Sequence, residues 1–393
     1  MNKPSNWLSG EFGDYVTIKS QKFDPKKQEV EKKCIELEHI EQETGRVLGN
    51  TTTLLSKSTK NIFAKGDILF GKLRPYLKKF AKAPFSGVCS SEIWVLTPKE
   101  KLNRNFLFYI IQSDKFIEEA NKSCGTKMPR ADWGVVAKYR IHLPPISEQV
   151  KIADILSLID EKLDIIEDKI IETRNLKNGL IQKLFFSDYM KPERLGDLLI
   201  EKPAYGANAS ACEYAEGKTR YVRITDINDR GRLLDSKVSL NLPDCNDYLL
   251  HDGDIIIARS GNTVGKSYLY NVNDGVCAYA GYLIRFRTDV KKLLPRYLSH
   301  FLMTERYWNW IKNNIKVGAQ PNINAQQYQS LEIPICPISD QENIINILEA
   351  IDSKIDLLEQ QKSETQLLKK GMMQKLLTGE WRVPLDCNEE EAA

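Results

Sequence analysis

Residues 145–184 read PISEQVKIADILSLIDEKLDIIEDKIIETRNLKNGLIQKL, and residues 337–376 read PISDQENIINILEAIDSKIDLLEQQKSETQLLKKGMMQKL. The two stretches align without a gap, and about half of their positions are identical. An internal repeat with a period near half the chain fixes the architecture before any single motif is considered. The chain is therefore expected to consist of two related halves, each ending in one copy of the repeat.

Each copy shows the pattern of a long helix with a narrow apolar seam. Apolar residues alternate spacings of four and three, and the second copy opens with the capping box Ser339-x-x-Glu342 after Pro337. A helix of roughly 38 residues would be about 57 Å long, and such a helix needs a partner. Pairing of the two copies within one chain is the simpler arrangement, and a homodimeric coiled coil is the alternative. The residues predicted to pair the helices are Ile152, Leu156, Ile159, Leu163 and Ile166 in the first copy and Ile344, Leu348, Ile351, Ile355 and Leu358 in the second.

The segments before the two helices share weaker landmarks, as expected for similar folds with different surfaces. Residues 91–96 and 254–258 are predicted strands, and residues 106–119 and 297–312 are predicted helices, so both segments mix α and β structure. The predicted chain order is domain, helix, domain, helix. The matching tripeptides are Phe12-Gly13-Asp14 with Leu195-Gly196-Asp197, Gly66-Asp67-Ile68 with Gly253-Asp254-Ile255, and Gly87-Val88-Cys89 with Gly275-Val276-Cys277.

The net charge of +3 hides an uneven distribution. Residues 1–145 carry 25 Lys and Arg against 16 Asp and Glu, and residues 185–337 carry 19 against 17. The helical segments are acidic, with 6 against 8 in residues 146–184 and 6 against 12 in residues 338–393. The basic charge therefore lies in the predicted domains, where a polyanion would have to be bound.

The composition excludes several classes of protein. With 42% apolar and 28% charged residues, the 393-residue chain has the composition of a globular protein of two or three domains. No apolar run approaches the roughly 20 residues that cross a membrane, and the N-terminus lacks the apolar core of a signal peptide, so we expect a cytoplasmic protein without membrane contact. The eight cysteines are scattered without a Cys-x-x-Cys pair, which predicts reduced thiols rather than a metal or redox site.

Several motifs resemble one family of proteins. Residues 66–77, GDILFGKLRPYL, are similar to one class of target recognition domain in the specificity subunits of type I restriction-modification enzymes, and residues 253–266, GDIIIARSGNTVGK, resemble another. The Pro-x-Ser-[Glu/Asp]-Gln start of each repeat and the ending Leu376-Leu377-Thr378-Gly379 resemble that family's conserved regions. The resemblance covers nearly the whole chain, although the first repeat departs from the ending with Leu184-Phe185-Phe186-Ser187.

The resemblance implies an α+β fold in which two mixed α/β target recognition domains are separated by two long antiparallel coiled-coil helices, with an internal pseudo-twofold repeat. Each domain would read one half of a bipartite, asymmetric target in double-stranded DNA. Two modification (methyltransferase) subunits would dock mainly on the helices, and restriction (nuclease-translocase) subunits would join them. The implied boundaries are recognition domains at 1–145 and 187–337, spacer helices at 146–186 and 338–380, and an acidic tail at 381–393.

Two stretches carry candidate DNA-binding residues. A loop after the predicted strand 254–258 offers Arg259, Ser260, Asn262, Thr263 and Lys266; its glycines are one residue too close for a P-loop, whereas its side chains suit phosphates and base edges. In the first half, a basic run with a single opposing Asp67 predicts phosphate binding, with a solvated face as the alternative. The residues of this run that we single out are Lys72, Arg74, Lys78 and Lys79.

Two further loops occupy corresponding places in the two halves, and DNA contact and ordinary turn chemistry are equally consistent with them. Their candidate residues are Lys127 and Arg130 in the first half and Gln320, Asn322 and Asn324 in the second.

The sequence shows no pattern that predicts a catalytic residue, a metal site or a cofactor. It lacks a dinucleotide-binding loop, an H-E-x-x-H motif and the Asn/Asp-Pro-Pro-aromatic tetrapeptide of amino-methyltransferases. We therefore expect a non-catalytic subunit that directs its partners to DNA. An autonomous DNA-binding protein or an orphan specificity subunit is the alternative, and a coiled-coil adaptor that binds only proteins is a third possibility.

Overall fold

Each copy of the repeat forms one uninterrupted helix, as the apolar pattern predicts. In the computed structural model the first long helix is Ile146–Phe185 (40 residues) and the second long helix is Ile338–Thr378 (41 residues). Both begin directly after a proline, whose missing amide hydrogen costs nothing at the start of a helix. The second ends before Gly379, whose φ of 76° lies in the left-handed region that favours glycine.

The structure describes residues 6–27, 30–55, 58–122, 128–187, 189–242, 244–315 and 321–384. The chain folds into two units, the first made of residues 1–167 and 360–393 and the second of residues 168–359. Each unit therefore contains one mixed α/β part and one portion of each long helix. None of the helices in the described ranges is both long enough and apolar enough to span a membrane.

Within its described residues, the first unit contains three sheets. Leu8–Glu11 pairs with Arg140–Leu143, the strand that leads into the first long helix. A four-stranded sheet has the spatial order Val16–Ile18, Ile93–Pro98, Ile68–Gly71 and Phe80–Lys82, and a five-stranded sheet has the order Lys22–Phe23, Lys60–Phe63, Gly87–Cys89, Lys33–Ile35 and Thr51–Thr52. The short helices are Phe12–Tyr15, Arg104–Ile110, Asp114–Lys122 and Trp133–Val136, with 3-10 turns at Leu37–His39, Thr53–Leu55 and Pro75–Leu77.

The described part of the second unit likewise contains three sheets. Lys191–Arg194 pairs with Glu332–Ile335, the strand that leads into the second long helix. The two larger sheets have the orders Ala204–Tyr205, Leu283–Phe286, Ile255–Ala258, Ser267–Leu269 and Ala211–Glu213, Val238–Leu240, Arg220–Val222, Cys277–Tyr279. The short helices are Pro295–Phe301, Glu305–Asn314 and Ala325–Gln329, with 3-10 turns at Leu195–Leu198, Asn246–Tyr248, Gly261–Thr263 and Val272–Asp274.

The two units share the strand order of two of their three sheets, the two-stranded sheet and the four-stranded sheet around Ile68–Gly71 or Ile255–Ala258, and they differ in the number and order of strands in the third. In each unit, one mainly antiparallel sheet contains one parallel pair of strands. This pair places Cys34 opposite Val88 in the first unit and Arg220 opposite Cys277 in the second. The repeated glycines also have equal roles, because a side chain at Gly13 would press on Ala137 and one at Gly196 would press on Gln329 at about the same distances. The prediction of two related parts that mix α and β structure is therefore confirmed.

The helices predicted over residues 106–119 and 297–312 are each interrupted, which corrects the sequence-based prediction. A hydroxyl starts a new helix in both places. Ser113 Oγ accepts a hydrogen bond from the Phe116 amide, and Thr304 Oγ1 accepts one from the Tyr307 amide, each at 3.2 Å. Such side chains satisfy amides at a helix start, so the apolar pattern continues while the backbone breaks.

The apolar seams of the long helices form part of the core within each unit. Ile152 and Leu156 lie in the core of the first unit with Met373 and Leu376 of the second long helix. In the second unit, Ile344 and Leu348 share a core with Ile181 and Phe185 of the first long helix. Of the other residues predicted to pair the helices, Ile166, Ile355 and Leu358 are buried, and Ile159, Leu163 and Ile351 are half-buried.

Ion pairs accompany this packing within each unit. In the first unit Asp160 pairs with Lys369 (2.7 Å) and Glu167 with Lys362 (2.5 Å). In the second, Lys177 pairs with Asp352 (2.5 Å) and Arg174 with Glu359 (2.6 Å). In both units, a residue later in the first long helix pairs with a residue earlier in the second long helix.

A buried glutamine fixes the start of the first long helix to the adjoining domain. Gln149 is fully buried. Its carbonyl oxygen accepts a hydrogen bond from the Asn103 amide (2.8 Å), and its amide nitrogen donates to the carbonyls of Lys101 (3.0 Å) and Pro144 (2.9 Å). The side chain therefore satisfies three backbone groups from two segments that flank the helix start.

Gln341 repeats this arrangement at the start of the second long helix. It is fully buried, accepts from the Leu294 amide (2.9 Å) and donates to the carbonyls of Lys292 (2.8 Å) and Cys336 (3.0 Å). The glutamine of the Pro-x-Ser-[Glu/Asp]-Gln motif is thus explained by structure, because no other uncharged side chain of its length offers both a double donor and an acceptor.

We expect Gln149→Glu to lower the free energy of unfolding by about 2–3 kcal/mol, because a carboxylate oxygen would face two carbonyl oxygens in a buried site. Gln341→Glu should do the same in the second unit. Chemical denaturation measures the effect, and Gln361→Glu, at an exposed position of the second long helix, is the control with a change within about 0.5 kcal/mol. Equal stability of Gln149→Glu and the control would contradict the assigned role.

Candidate nucleic-acid interface

Two loops meet beside the central strand Ile68–Gly71 of the first unit. The Lys72 amide donates to the Glu92 carbonyl (2.9 Å), and the Ala131 amide donates back to the Lys72 carbonyl (2.8 Å). The Arg74 amide donates to the Pro129 carbonyl (2.7 Å), and Leu73 and Arg130 form an isolated antiparallel bridge. The structure thus joins candidates that lie more than fifty residues apart in the sequence.

The second unit builds the same frame after its strand Ile255–Ala258. The Arg259 amide donates to the Tyr282 carbonyl (2.9 Å), and the Ile323 amide donates to the Arg259 carbonyl (2.9 Å). The Gly261 amide donates to the Pro321 carbonyl (3.0 Å), and Ser260 bridges to Asn322. We call this frame the two-loop platform: residues 72–74 with 129–131 in the first unit, and residues 259–261 with 321–323 in the second.

Equivalent positions of the two platforms carry different side chains. The hydrogen bonds match Lys72 with Arg259, Leu73 with Ser260, Arg74 with Gly261, Glu92 with Tyr282, and Arg130 with Asn322. The loop backbones of the two units make the same hydrogen bonds, whereas the side chains at matched positions differ in charge, size and hydrogen-bonding capacity.

The first platform presents cations. Arg74 is exposed and adopts a left-handed backbone with φ of 52°, which is uncommon for a residue with a side chain. Lys72 is half-buried, and neither residue has an ion-pair partner among the described residues. Arg130 is exposed and pairs with Glu92 at 2.9 Å. Lys72 and Arg74 are therefore the cations of this platform that remain available to a polyanion.

Lys78 and Lys79 are engaged within the unit. Lys78 Nζ lies 3.0 Å from Asp114 and 3.5 Å from Glu43. Burial lowers the pKa of Lys78, but the two carboxylates outweigh burial and raise it above its ordinary value. Lys79 Nζ donates to the Leu37 carbonyl at 2.6 Å. Of the four basic residues predicted to bind phosphate, Lys72 and Arg74 have no ion-pair partner among the described residues. Lys78 and Lys79 are instead bound to groups of their own unit.

The second platform combines an arginine with aromatic rings and amides. The Arg259 guanidinium lies over the Tyr205 ring at 4.8 Å from its centroid, and Arg259 Nε is 3.5 Å from Asn322 Oδ1. Tyr205 and Tyr282 are exposed. Sequence reasoning missed both tyrosines. Tyr205 lies more than fifty residues before Arg259, and no sequence pattern places Tyr205 or Tyr282 beside that arginine.

The remaining candidates of the second unit have diverse environments. Asn262 and Asn322 are exposed, and Thr263 donates to the Ser260 carbonyl at 3.4 Å. Lys266 pairs with Asp229 at 2.7 Å. Asn324 accepts from the Gln327 amide at 2.9 Å and so caps the helix Ala325–Gln329. Lys127 and Gln320 lie outside the described residues.

The described residues contain no cluster of three or more potential metal ligands. Their cysteines are free, with Cys34, Cys89, Cys277 and Cys336 buried and Cys212 and Cys245 half-buried. Burial raises the pKa of Cys34 to about 12, further favoured by Glu36 and opposed by Lys60. Thiols in such environments are poor nucleophiles and poor metal ligands.

Comparison with known proteins identifies the family. The model of the type I restriction modification DNA specificity domain matches residues 4–174 and 188–366, so the chain belongs to this family. It is 26% identical over 326 residues to the type I restriction enzyme MjaVIII specificity subunit of Methanocaldococcus jannaschii, covering 76% of this chain and 75% of that protein. It is 29% identical over 154 residues to the EcoDI specificity subunit of Escherichia coli, covering 37% and 34%. The resemblance noted in the sequence is confirmed.

Solved structures agree in fold. A structure described in terms of complex assembly and conformational transition of the type I R-M system matches with a TM-score of 0.62 at 19% identity, covering 97% of this chain and 100% of that one. The type I restriction-modification S subunit from M. genitalium matches with a TM-score of 0.58 at 16% identity, covering 98% of both chains. At these identities the likeness concerns the fold alone.

The two platforms predict separable effects on DNA binding. We expect Lys72→Ala to weaken binding to all sequences alike and to reduce the slope of log affinity against log salt by about one, as for a lost phosphate contact. Arg259→Ala should relax specificity in one half-site by about 1–3 kcal/mol. Affinities for a target panel at several salt concentrations test both, with the exposed Lys291→Ala as the control. Unchanged affinity and specificity in both variants would mean that the platforms do not contact DNA.

Proposed function

We propose that the chain is the sequence-reading, non-catalytic subunit of a type I restriction-modification assembly. Each unit reads one half of a bipartite, asymmetric DNA target, and partner subunits carry out methylation and cleavage. The observation that carries this proposal is the two-loop platform, because one backbone frame displays unlike side chains in the two units. A protein that reads two different half-sites with one fold needs this combination.

The chemistry of the platforms suits DNA. Arginine and asparagine can pair bidentately with guanine and adenine, and lysine and arginine neutralise phosphates. The excess of basic residues in residues 1–145 adds attraction for a polyanion that does not depend on sequence. We propose that Lys72 and Arg74 in the first unit, and Arg259, Ser260, Asn262 and Asn322 in the second, contact DNA directly. Thr263, Arg130, Lys78, Lys79, Lys266 and Asn324 act beside them, mainly by holding the loops through the contacts described above.

The domain plan is part of the proposal. Recognition domains span 1–145 and 187–337, the helices 146–186 and 338–380 form an antiparallel coiled-coil spacer, and an internal pseudo-twofold axis relates the halves. Three observations support it. The four-stranded sheets that contain Ile68–Gly71 and Ile255–Ala258 have matching strand orders. Within each unit, residues later in the first long helix pair with residues earlier in the second, and equivalent glutamines begin both helices. These contacts within the chain also favour the intramolecular pair over a homodimeric coiled coil.

The spacer helices offer a surface for protein partners. Large apolar side chains are exposed along both helices although their seams are buried. Large apolar side chains exposed on a helix provide apolar area that a protein partner can cover. We propose that two modification subunits dock here and that restriction subunits join them. The exposed residues are Leu158, Ile165, Ile171 and Leu176 on the first long helix and Ile347, Leu357, Leu367 and Leu368 on the second.

The proposal predicts that exchanging residues 187–337 for the matching domain of a relative changes one half-site and leaves the other unchanged, because each platform lies within one unit. Copurification with modification subunits followed by methylation mapping of genomic DNA measures this. Failure to copurify, with retained sequence-specific binding, would favour the autonomous DNA-binding alternative. A simultaneous change in both half-sites would contradict the assignment of one half-site to each domain.

A second prediction concerns spacer length. The proposed antiparallel pairing of the helices, which the pairs Glu167–Lys362 and Lys177–Asp352 support within their own units, makes the junctions 168/169 and 360/361 corresponding positions for an insertion. Four helix-favouring residues inserted at both junctions add about 6 Å of rise, which corresponds to at most about two base pairs. Methylation mapping should therefore show both half-sites unchanged with a spacer longer by one or two base pairs.

Insertion at only one of the two junctions is the matched control, and it should abolish activity because it shifts one seam against the other. Activity of the doubly inserted variant at the original spacing would mean that the helices do not measure the target.

A further inference from the structure

A short motif recurs in the two units outside the long repeat. Residues 43–47 read Glu-Thr-Gly-Arg-Val, and residues 229–233 read Asp-Arg-Gly-Arg-Leu. Both form the turn of a small hairpin. The flanking bridge joins Ile40 to Val47 in the first unit and Ile227 to Leu233 in the second. We call these segments, residues 40–47 and 227–233, the arginine hairpins.

The glycine of each hairpin is required by the backbone. Gly45 has φ of 81° and Gly231 has φ of 67°, and both values lie in the left-handed region. Equivalent main-chain hydrogen bonds close the turns, from the Glu41 amide to the Arg46 carbonyl (3.0 Å) and from the Asn228 amide to the Arg232 carbonyl (2.9 Å). In both hairpins the carbonyl of the arginine that follows the glycine closes the turn, although the first turn is one residue longer than the second.

That arginine contacts equivalent aspartates of the long helices. Arg46 pairs with Asp164 of the first long helix at 2.7 Å. Arg232 pairs with Asp356 of the second long helix, also at 2.7 Å. Asp164 and Asp356 occupy the same position of the 40-residue repeat. The contact between the hairpin arginine and the helix aspartate therefore recurs in both halves of the chain.

The acidic residue of each hairpin contacts the segment that follows the recognition loop. Glu43 lies 3.5 Å from Lys78, and its amide donates to the Lys78 carbonyl at 3.0 Å. Asp229 lies 2.7 Å from Lys266. In both units one hairpin therefore joins a spacer helix to the lysine a few residues beyond the two-loop platform.

The second unit adds a further tie. Arg230 and Arg174 both contact Glu359 of the second long helix, at 2.5 and 2.6 Å. Hydrogen bonding from Arg230, opposed by burial and helped by Arg174, lowers the pKa of Glu359 to about 2. This carboxylate therefore stays charged, and the tie persists, at any pH near neutrality.

We propose that the arginine hairpins are positioning elements that set the orientation of each recognition loop relative to its spacer helix, so that the protein accepts a single spacer length. Arg46 and Arg232 are positioning residues, and Asp164 and Asp356 are their anchors. The inference rests on the proposed function, in which two domains read half-sites at a fixed separation. It assigns a role in spacing to residues that lie outside the platforms.

The test uses the complete complex with its modification subunits and a set of DNA targets that carry both half-sites with spacers from two base pairs shorter to two longer. We expect Arg46→Asp to reduce the preference for the correct spacer about threefold to fivefold, as for loss of one exposed ion pair, with the half-site bases unchanged. The exchanged pair Arg46→Asp with Asp164→Arg should restore the preference. Arg104→Asp, at an exposed arginine without an ion-pair partner among the described residues, is the charge-matched control.

Each outcome decides the question. Wild-type spacer preference in Arg46→Asp and Arg232→Asp, or a defect that the charge exchange does not restore, would overturn the role of the hairpins. Loss of all methylation in Arg46→Asp that the exchange restores would support it. A wild-type complex that methylates no bipartite target would instead overturn the proposed function, and the inference with it.

Discussion

The structure depends on a buried amide at the start of each long helix. Gln149 and Gln341 each satisfy three backbone groups of the adjoining domain. A buried polar side chain with every partner satisfied admits one geometry, because any rotation leaves donors or acceptors unpaired. The direction in which each helix leaves its domain is therefore fixed by hydrogen bonding rather than by the apolar seam, which would tolerate sliding.

The same division between a fixed frame and free side chains governs the two-loop platforms. Main-chain hydrogen bonds hold the loops, so a change of side chain at Lys72 or Arg259 does not disturb the frame. If the platforms read DNA as we propose, specificity can vary at these positions while the loop backbone stays the same. The lysines beyond the platforms differ in kind, because Lys78 and Lys266 have acidic partners. Replacing them would affect loop position as well as charge.

Sequence reasoning was strongest where a pattern repeats over a long stretch. The long helices followed from apolar spacing over 40 positions, since periodicity averages out local exceptions. The interruptions at Ser113 and Thr304 could have been predicted, because a hydroxyl residue followed by an acidic residue is a helix-start signal. The contact of Arg259 with Tyr205 could not, because strand order decides it. The five-residue hairpin motif was missed because so short a match carries little weight without a structure around it.

Ion pairs at the surface contribute less than about 1 kcal/mol each and weaken with salt, so a single pair positions a domain only loosely. The first hairpin has one arginine that contacts a long helix, whereas the second hairpin has two, Arg230 and Arg232. Other contacts add to the single pair in the first unit, because Tyr109 donates to Asp160 and Lys369 donates to Gln112. The hairpin arginine is therefore one of several contacts between each domain and the long helices, which is why loss of one pair should shift the position of a loop without unfolding its domain.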